Sequence, residues 1–205
     1  RLVEFFHSLS PPCPWQNHFV GIYPDKIAAL AASPGFAGAI DDASAIGTSA
    51  SLICGSFVRF SLSIDAAKLV ISDIKYETNG CGFAVAAAET IASSLSDKPL
   101  TTLHGLESEE IFTFNDLAIT DFPPARRQCV EICFEAVRTA LANFRVSRVT
   151  GFTGDNALIC SCFGVDEKTI ERAIDENSFV TVAEVTERTN AGAGCGSCRM
   201  MIEEI

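Results

Sequence analysis

Positive charge is scarce in this sequence. Its 15 Lys and Arg stand against 26 Asp and Glu, for a formal net charge of −11. Phosphate contacts need clustered Lys and Arg, so the balance argues against a nucleic-acid binder. No apolar run reaches the roughly 18 residues of a membrane span. No charged stretch followed by an apolar one opens the chain, so nothing marks it as secreted, and a cytoplasmic location is expected. Histidine is rare: His7, His18 and His104 show no metal-ligand spacing. A Ser-His-Asp signature, a Walker loop and a dinucleotide fingerprint are all missing. So are internal repeats and low-complexity tracts. The first residue is Arg1 and not Met, which points to a trimmed start or a fragment.

Cysteine, by contrast, is plentiful, with nine in 205 residues. In a chain without secretory marks this favours reduced thiols with a metal role over a disulfide frame. Four lie near the C-terminus, as Cys160-Ser161-Cys162 and, after 32 residues (163–194), Cys195-Gly196-Ser197-Cys198. Two tight thiol pairs separated by a helical stretch can converge on one site. Four thiolates suit zinc or an iron–sulfur cluster, and geometry alone does not choose between them. Gly192, Gly194 and Gly196 let the backbone turn tightly and bring N–H groups near an anionic centre. Between the pairs, Ile170, Ala173, Ile174 and Phe179 fall at helix spacing. Thr181-Val182-Ala183-Glu184 fits a capping box opening a second helix that buries Val182 and Val185.

Ahead of this unit the pattern is mixed. Residues 1–22 read as an extension in which Pro11, Pro12 and Pro14 break any helix, with the unassigned thiol Cys13 among them. A short helix is expected over Pro24–Ala32, stopped by Ser33-Pro34-Gly35. Val58, Phe60, Leu62 and Ile64 alternate with polar residues, as do Ile74 and Tyr76, so two strands are expected, the second over Val70–Tyr76. Cys81–Leu95 is an Ala-rich helix. Residues 97–121 read as loops with a short helix near Glu107–Phe112 and a solvated run at Glu107, Glu109 and Glu110. Arg126–Phe144 is the clearest long helix, its apolar stripe formed by Val130, Cys133, Phe134, Val137, Leu141 and Phe144. Trp15 and the phenylalanines are packing residues. The division is therefore an extension (1–22), a first domain (23–146), a linker (147–156) and a second domain (157–205). The expected class is α+β: a small, mostly antiparallel sheet with helices, followed by a small all-α helix-turn-helix unit.

Three cysteines of the first domain sit at element boundaries: Cys54 before Gly55, Cys81 between Gly80 and Gly82, and Cys129 in the first turns of the long helix. A helix N-terminus lowers a thiol pKa, and Arg126 and Arg127 add to this near Cys129. Boundary thiols flanked by glycine suit an exposed site that accepts and releases sulfur and metal. Cys133, one turn beyond Cys129, is either a core residue on the apolar stripe or a further ligand, and the core reading is favoured.

The segment Ala157–Ile205, with its Cys-x-Cys, helix and Gly-x-Gly-Cys-Gly-x-Cys, resembles the bacterioferritin-associated ferredoxin-like [2Fe–2S] domain. That resemblance makes Cys160, Cys162, Cys195 and Cys198 the ligands of a permanent [2Fe–2S] cluster. The local sequences Ala45-Ile46-Gly47, Cys54-Gly55, Thr78-Asn79-Gly80-Cys81-Gly82-Phe83-Ala84 and Pro123-Pro124-Ala125-Arg126-Arg127-Gln128-Cys129 resemble the iron–sulfur scaffolds of the NifU and IscU type. Scaffold followed by ferredoxin-like domain is the NifU arrangement, without the third, Nfu-like domain of longer relatives.

The resemblance implies a non-enzymatic scaffold. Cys54, Cys81 and Cys129 would hold a transient cluster, or iron or zinc. Sulfur would arrive as persulfide from a cysteine desulfurase, and the cluster would pass to acceptor apo iron–sulfur proteins. A chaperone and a homodimer are further implied partners. The chain departs from the family at Ser56, where Asp is usual, and at Gln128, where His is usual. The chaperone-docking Leu-Pro-Pro-Val-Lys reads Phe122-Pro123-Pro124-Ala125-Arg126. Hydroxyl and neutral amide are poorer iron ligands than carboxylate and imidazole. Two other readings stay open: an electron carrier whose first domain is a docking module, and a zinc-stabilised interaction protein.

Overall fold

The computed structural model describes residues 22–65, 68–103 and 117–205. Cys13, Trp15, the three histidines, the acidic run and the short helix expected near Glu107–Phe112 fall outside them.

The N-terminal part is built on a three-stranded antiparallel sheet of β1 (Ala45–Ala50), β2 (Phe57–Asp65) and β3 (Val70–Thr78), in that order. Phe60 sits opposite both Gly47 and Tyr76, and Leu62 opposite Ile74. The alternation puts Val58, Phe60, Leu62, Ile64, Ile74 and Tyr76 on the covered face, and all are buried. Each such side chain contributes about 1.5–3 kcal/mol of burial. β1 is a strand that periodicity misses: Ala-Ile-Gly-Thr-Ser-Ala has no aromatic residue, and its β-branched Ile46 and Thr48 sit among small residues on the outward side.

Helix α1 (Asp25–Ala32) starts just after Pro24 and buries Ile27. Helix α2 (Gly82–Leu95) is packed on nearly every side, which its alanines permit. Its one buried carboxylate, Glu89, is fully occupied. It accepts Gly35 N–H at 2.6 Å and the Tyr76 hydroxyl at 3.0 Å, tying the segment after α1 to the sheet. Helix α3 (Gln128–Gly151) lies across β1. A Cβ at position 47 would collide with the backbone of Ala136 and Ala140, so only glycine lets helix and strand meet this closely. The helix was expected to end at Phe144. It continues to Gly151, taking in residues 147–151 of the expected linker.

The C-terminal part holds three short helices: α4 (Glu167–Asn177), α5 (Val182–Thr189) and α6 (Arg199–Glu204). Asp166 caps α4 through Thr169 N–H at 2.8 Å. The capping box of α5 forms as the sequence indicates: Thr181 Oγ1 accepts Glu184 N–H at 3.3 Å, and Glu184 Oε2 accepts Thr181 N–H at 3.0 Å. Val185 is buried, whereas Val182 is only half-buried. One element goes beyond the all-α expectation, a small antiparallel pair of β4 (Leu158–Cys160) and β5 (Val165–Asp166). Ile170, Val185, Ala191 and Ile202 are the main buried apolar residues beside the thiols.

Candidate metal centres

Cys54 stands on the β1–β2 turn. Gly55 N–H donates to Ser51 O and Ser51 N–H to Ser56 O, both at 2.8 Å, and Gly55 has φ +71°. This closes the turn and leaves Leu52, Ile53 and Cys54 exposed. Cys54 Sγ lies 3.0 Å from Ser56 Oγ. Hydrogen bonds from Ser51 and Ser56 favour its thiolate and lower its pKa to about 7. Ser51 Oγ also lies 3.4 Å from Gln128 Oε1, linking the turn to the start of α3. Gln128 is thus a brace, and Ser51 is a site residue that sequence reasoning missed.

Cys81 caps α2. Its neighbours must be small, because a Cβ at Gly82 would lie 2.9 Å from the Tyr23 ring and one at Gly80 2.6 Å from Ala84 Cβ. Tyr23 Oη accepts Gly82 N–H at 3.1 Å, and its ring meets Phe83 edge-on at 4.9 Å. The Cys81 thiol is pulled down to about 5, chiefly by a hydrogen bond from Cys129, then by the N–H groups of Ala84 and Phe83 and the charge of Arg126, against the opposing effect of burial. The lowering expected at a helix start is met at Cys81, and the one expected at Cys129 is corrected. Cys129 is the donor to Cys81 and is buried, and both effects raise its pKa. Cys133 is fully buried and directs its S–H to Ala84 O at 3.6 Å, as a core cysteine does.

The other four thiols line one cavity of about 120 Å³, with Ile159, Ser161, Gly194 and Met201 among its walls. Cys160 ends β4, Cys162 follows in the turn, Cys195 lies in the glycine-rich loop and Cys198 precedes α6. Cys162 and Cys195 Sγ are 3.5 Å apart. A Cβ at Gly194 would come within 2.9 Å of Cys162 Sγ, so this glycine admits the thiol. A hydrogen bond from Cys162 lowers the Cys160 pKa to about 5, while the donor Cys162 is raised. Burial lifts Cys198 to about 11. At Cys195 burial acts upward, but hydrogen bonds from the hydroxyl and backbone N–H of Ser197 prevail and its pKa is lowered.

The sequence-predicted thiols therefore gather in two places: Cys81 and Cys129 as a bonded pair with Cys54 on the adjoining turn, and Cys160, Cys162, Cys195 and Cys198 around one cavity. Among the described residues, no group of three or more His, Cys, Asp or Glu side chains already stands in metal-holding geometry. Four soft donors around a small cavity, with glycine where a side chain would block them, fit a [2Fe–2S] cluster.

A family model described as the NifU-like N terminal domain matches residues 22–150, more than half of the chain. The chain belongs to this NifU-like family. A second model, the BFD-like [2Fe-2S] binding domain, matches residues 158–205. The chain is 31% identical over 188 residues to the nitrogen fixation protein NifU of Azospirillum brasilense, covering 89% of this chain and 58% of that protein. It thus spans under two thirds of that NifU-like relative. It is 23% identical over 146 residues to the iron-sulfur cluster assembly scaffold protein IscU of Aquifex aeolicus, covering 71% and 89%. A crystal structure of a NifU-like protein (N-terminal) from Brucella abortus shares 19% identity, with a TM-score of 0.49, over 61% of this chain and 95% of that one. No helix among the described residues is long and apolar enough to cross a membrane.

Proposed function

We propose that this chain is an iron–sulfur cluster assembly scaffold. A first domain (23–146) builds a transient cluster on Cys54, Cys81 and Cys129, and a second (157–205) holds a resident [2Fe–2S] cluster on Cys160, Cys162, Cys195 and Cys198. One observation carries the reading: the Cys81–Cys129 thiol pair at two helix starts faces an exposed cysteine turn, while a separate cavity collects four more thiols. Thiols kept partly ionised are ready to take sulfur and metal, and the exposed position of Cys54 lets a partner reach them.

The partners follow from the chemistry. Sulfur is supplied as persulfide by a cysteine desulfurase, and the cluster leaves by thiolate exchange to an acceptor apo-protein, with no general acid or base required. Persulfide sulfur must be reduced: R–S–SH + 2 e⁻ + H⁺ gives R–SH + HS⁻. The resident cluster, when bound, supplies one-electron redox chemistry. A chain lacking Cys160 and Cys162 therefore loads its first site more slowly when reductant is limiting.

The deciding experiment is anaerobic purification with assay of iron, zinc, acid-labile sulfide and the visible spectrum, before and after adding desulfurase, cysteine and iron. A [2Fe–2S] protein that gains a second, transferable cluster is expected. Zinc without sulfide overturns the reading. A second reading, an electron carrier with a docking module, draws on Ser56 and Gln128, which present a hydroxyl and an amide beside the thiols. One fixed cluster with no gain and no transfer to an apo-ferredoxin favours it.

A further inference from the structure

The tripeptide Cys-Gly-Ser occurs twice, as Cys54-Gly55-Ser56 and as Cys195-Gly196-Ser197. The two copies serve different sites, one on a strand-to-strand turn and one in a glycine-rich loop before a helix. Their local geometry is nonetheless the same. Gly55 has φ +71° and Gly196 φ +76°, a region open to glycine and costly for other residues. That turn brings the serine back onto the cysteine two residues earlier. Ser56 Oγ lies 3.0 Å from Cys54 Sγ, and Ser197 Oγ 3.1 Å from Cys195 Sγ. In each copy the serine's own backbone N–H also donates to the same sulfur. Both cysteines are exposed, as is Cys81, whereas Cys129, Cys160, Cys162 and Cys198 are buried.

We propose that Ser56 and Ser197 are positioning residues that hydrogen-bond to an outward-facing thiolate of each cluster, Cys54 and Cys195, and draw electron density off its sulfur. This deepens the scaffold reading and rests on it. A sulfur that gives a hydrogen bond's worth of charge away donates less to iron. At the resident centre this stabilises the reduced cluster, which carries one more negative charge, and so raises the reduction potential. At the transient site it weakens the iron–sulfur bond to Cys54 and makes this the first bond to exchange with an incoming acceptor thiolate. The iron then keeps its charge, one thiolate bond breaks as another forms, and the released Cys54 leaves as a thiolate that takes its proton from water. Ser56 is buried and Ser197 exposed, so water replaces the lost bond more readily at Ser197.

The test uses the full chain carrying its clusters. Ser197→Ala is titrated with dithionite under mediators, following the visible spectrum of the resident cluster. Its midpoint moves to lower potential at unchanged iron and sulfide content, and Ser197→Thr returns it toward the parent value. Ser56→Ala, loaded with its second cluster, hands it to an apo-ferredoxin more slowly than the parent, and Ser56→Thr restores the rate. The proposal stands only if both variants move in these directions, and an unchanged potential or an unchanged transfer rate overturns it. If the parent chain itself forms no sulfide-containing chromophore, the scaffold reading fails and this proposal falls with it. If the parent loads normally and the variants match it, the proposal alone fails.

Discussion

The two thiol sites rest on very different foundations. Cys54, Cys81 and Cys129 come from three element boundaries that a large core already fixes: a three-stranded sheet, a near-fully packed α2 and the long α3. Aromatic contacts run from Tyr23 to Phe83 and on to Phe122, bracing the start of α2. The second site has three short helices and a two-stranded pair, and its thiols are themselves a large part of what is buried. The first part is fixed by its own core, whereas a small unit like the second gains stability from whatever centre its thiols hold.

Removing thiols from the second site is the strongest way to break this comparison. A chain with Cys160→Ser and Cys162→Ser loses hydrogen-exchange protection across residues 157–205, while β2, β3 and α2 stay protected. Equal protection in both parts would show that the second unit does not depend on its thiols.

Two glycine substitutions come next. Gly47→Ala forces a Cβ into the α3 backbone and costs on the order of 1–3 kcal/mol or more, read from urea unfolding of the first part. Gly194→Ala instead crowds Cys162 Sγ, so iron content of the second site drops while the first still loads. Removing a cap is smaller. Thr181→Ala lowers the stability of the second part by about 1 kcal/mol in urea, leaving the first part's transition in place.

The finest contrast is one of pH. Hydrogen bonds from Ser51 and Ser56 hold Cys54 at about 7, below the ordinary thiol value. They favour the thiolate, so in chelated protein iodoacetamide modifies Cys54 at pH 7 faster than an unperturbed thiol. Ser51→Ala removes the leading bond, raises the pKa and slows the reaction at pH 7. Above the ordinary thiol pKa the two rates converge. Peptide mapping by mass spectrometry reads both, and identical rates at pH 7 would remove Ser51 from the site.

Much of this was legible in the chain. The alternation of Val58, Phe60, Leu62 and Ile64 set the face of β2, and the stripe of α3 followed from its period. The Thr181–Glu184 box was readable because a cap is a local bond between residues three apart. β1 was not, since its strand character comes from pairing with β2 and from the need for Gly47 beneath α3. The end of α3 was hidden as well. Val146 and Val149 are exposed, so the apolar stripe stops before the helix does. The four-cysteine spacing pointed to one convergent site, and the structure gathers those thiols around one cavity.

The sequence by itself determined which residues are the candidates for the chemistry, because thiols and the glycines beside them are a matter of residue type and spacing. Only the tertiary structure decided how each thiol is poised. Position at a helix start singles out both Cys81 and Cys129, but Cys129 is buried and gives its proton to a bond with Cys81, so of the two only Cys81 is lowered. Ser51 is tied to Cys54 by their shared turn, but it meets Gln128 only when β1 and α3 pack together. Hydrogen bonds and desolvation depend on distances across the fold, and spacing along the chain does not encode them.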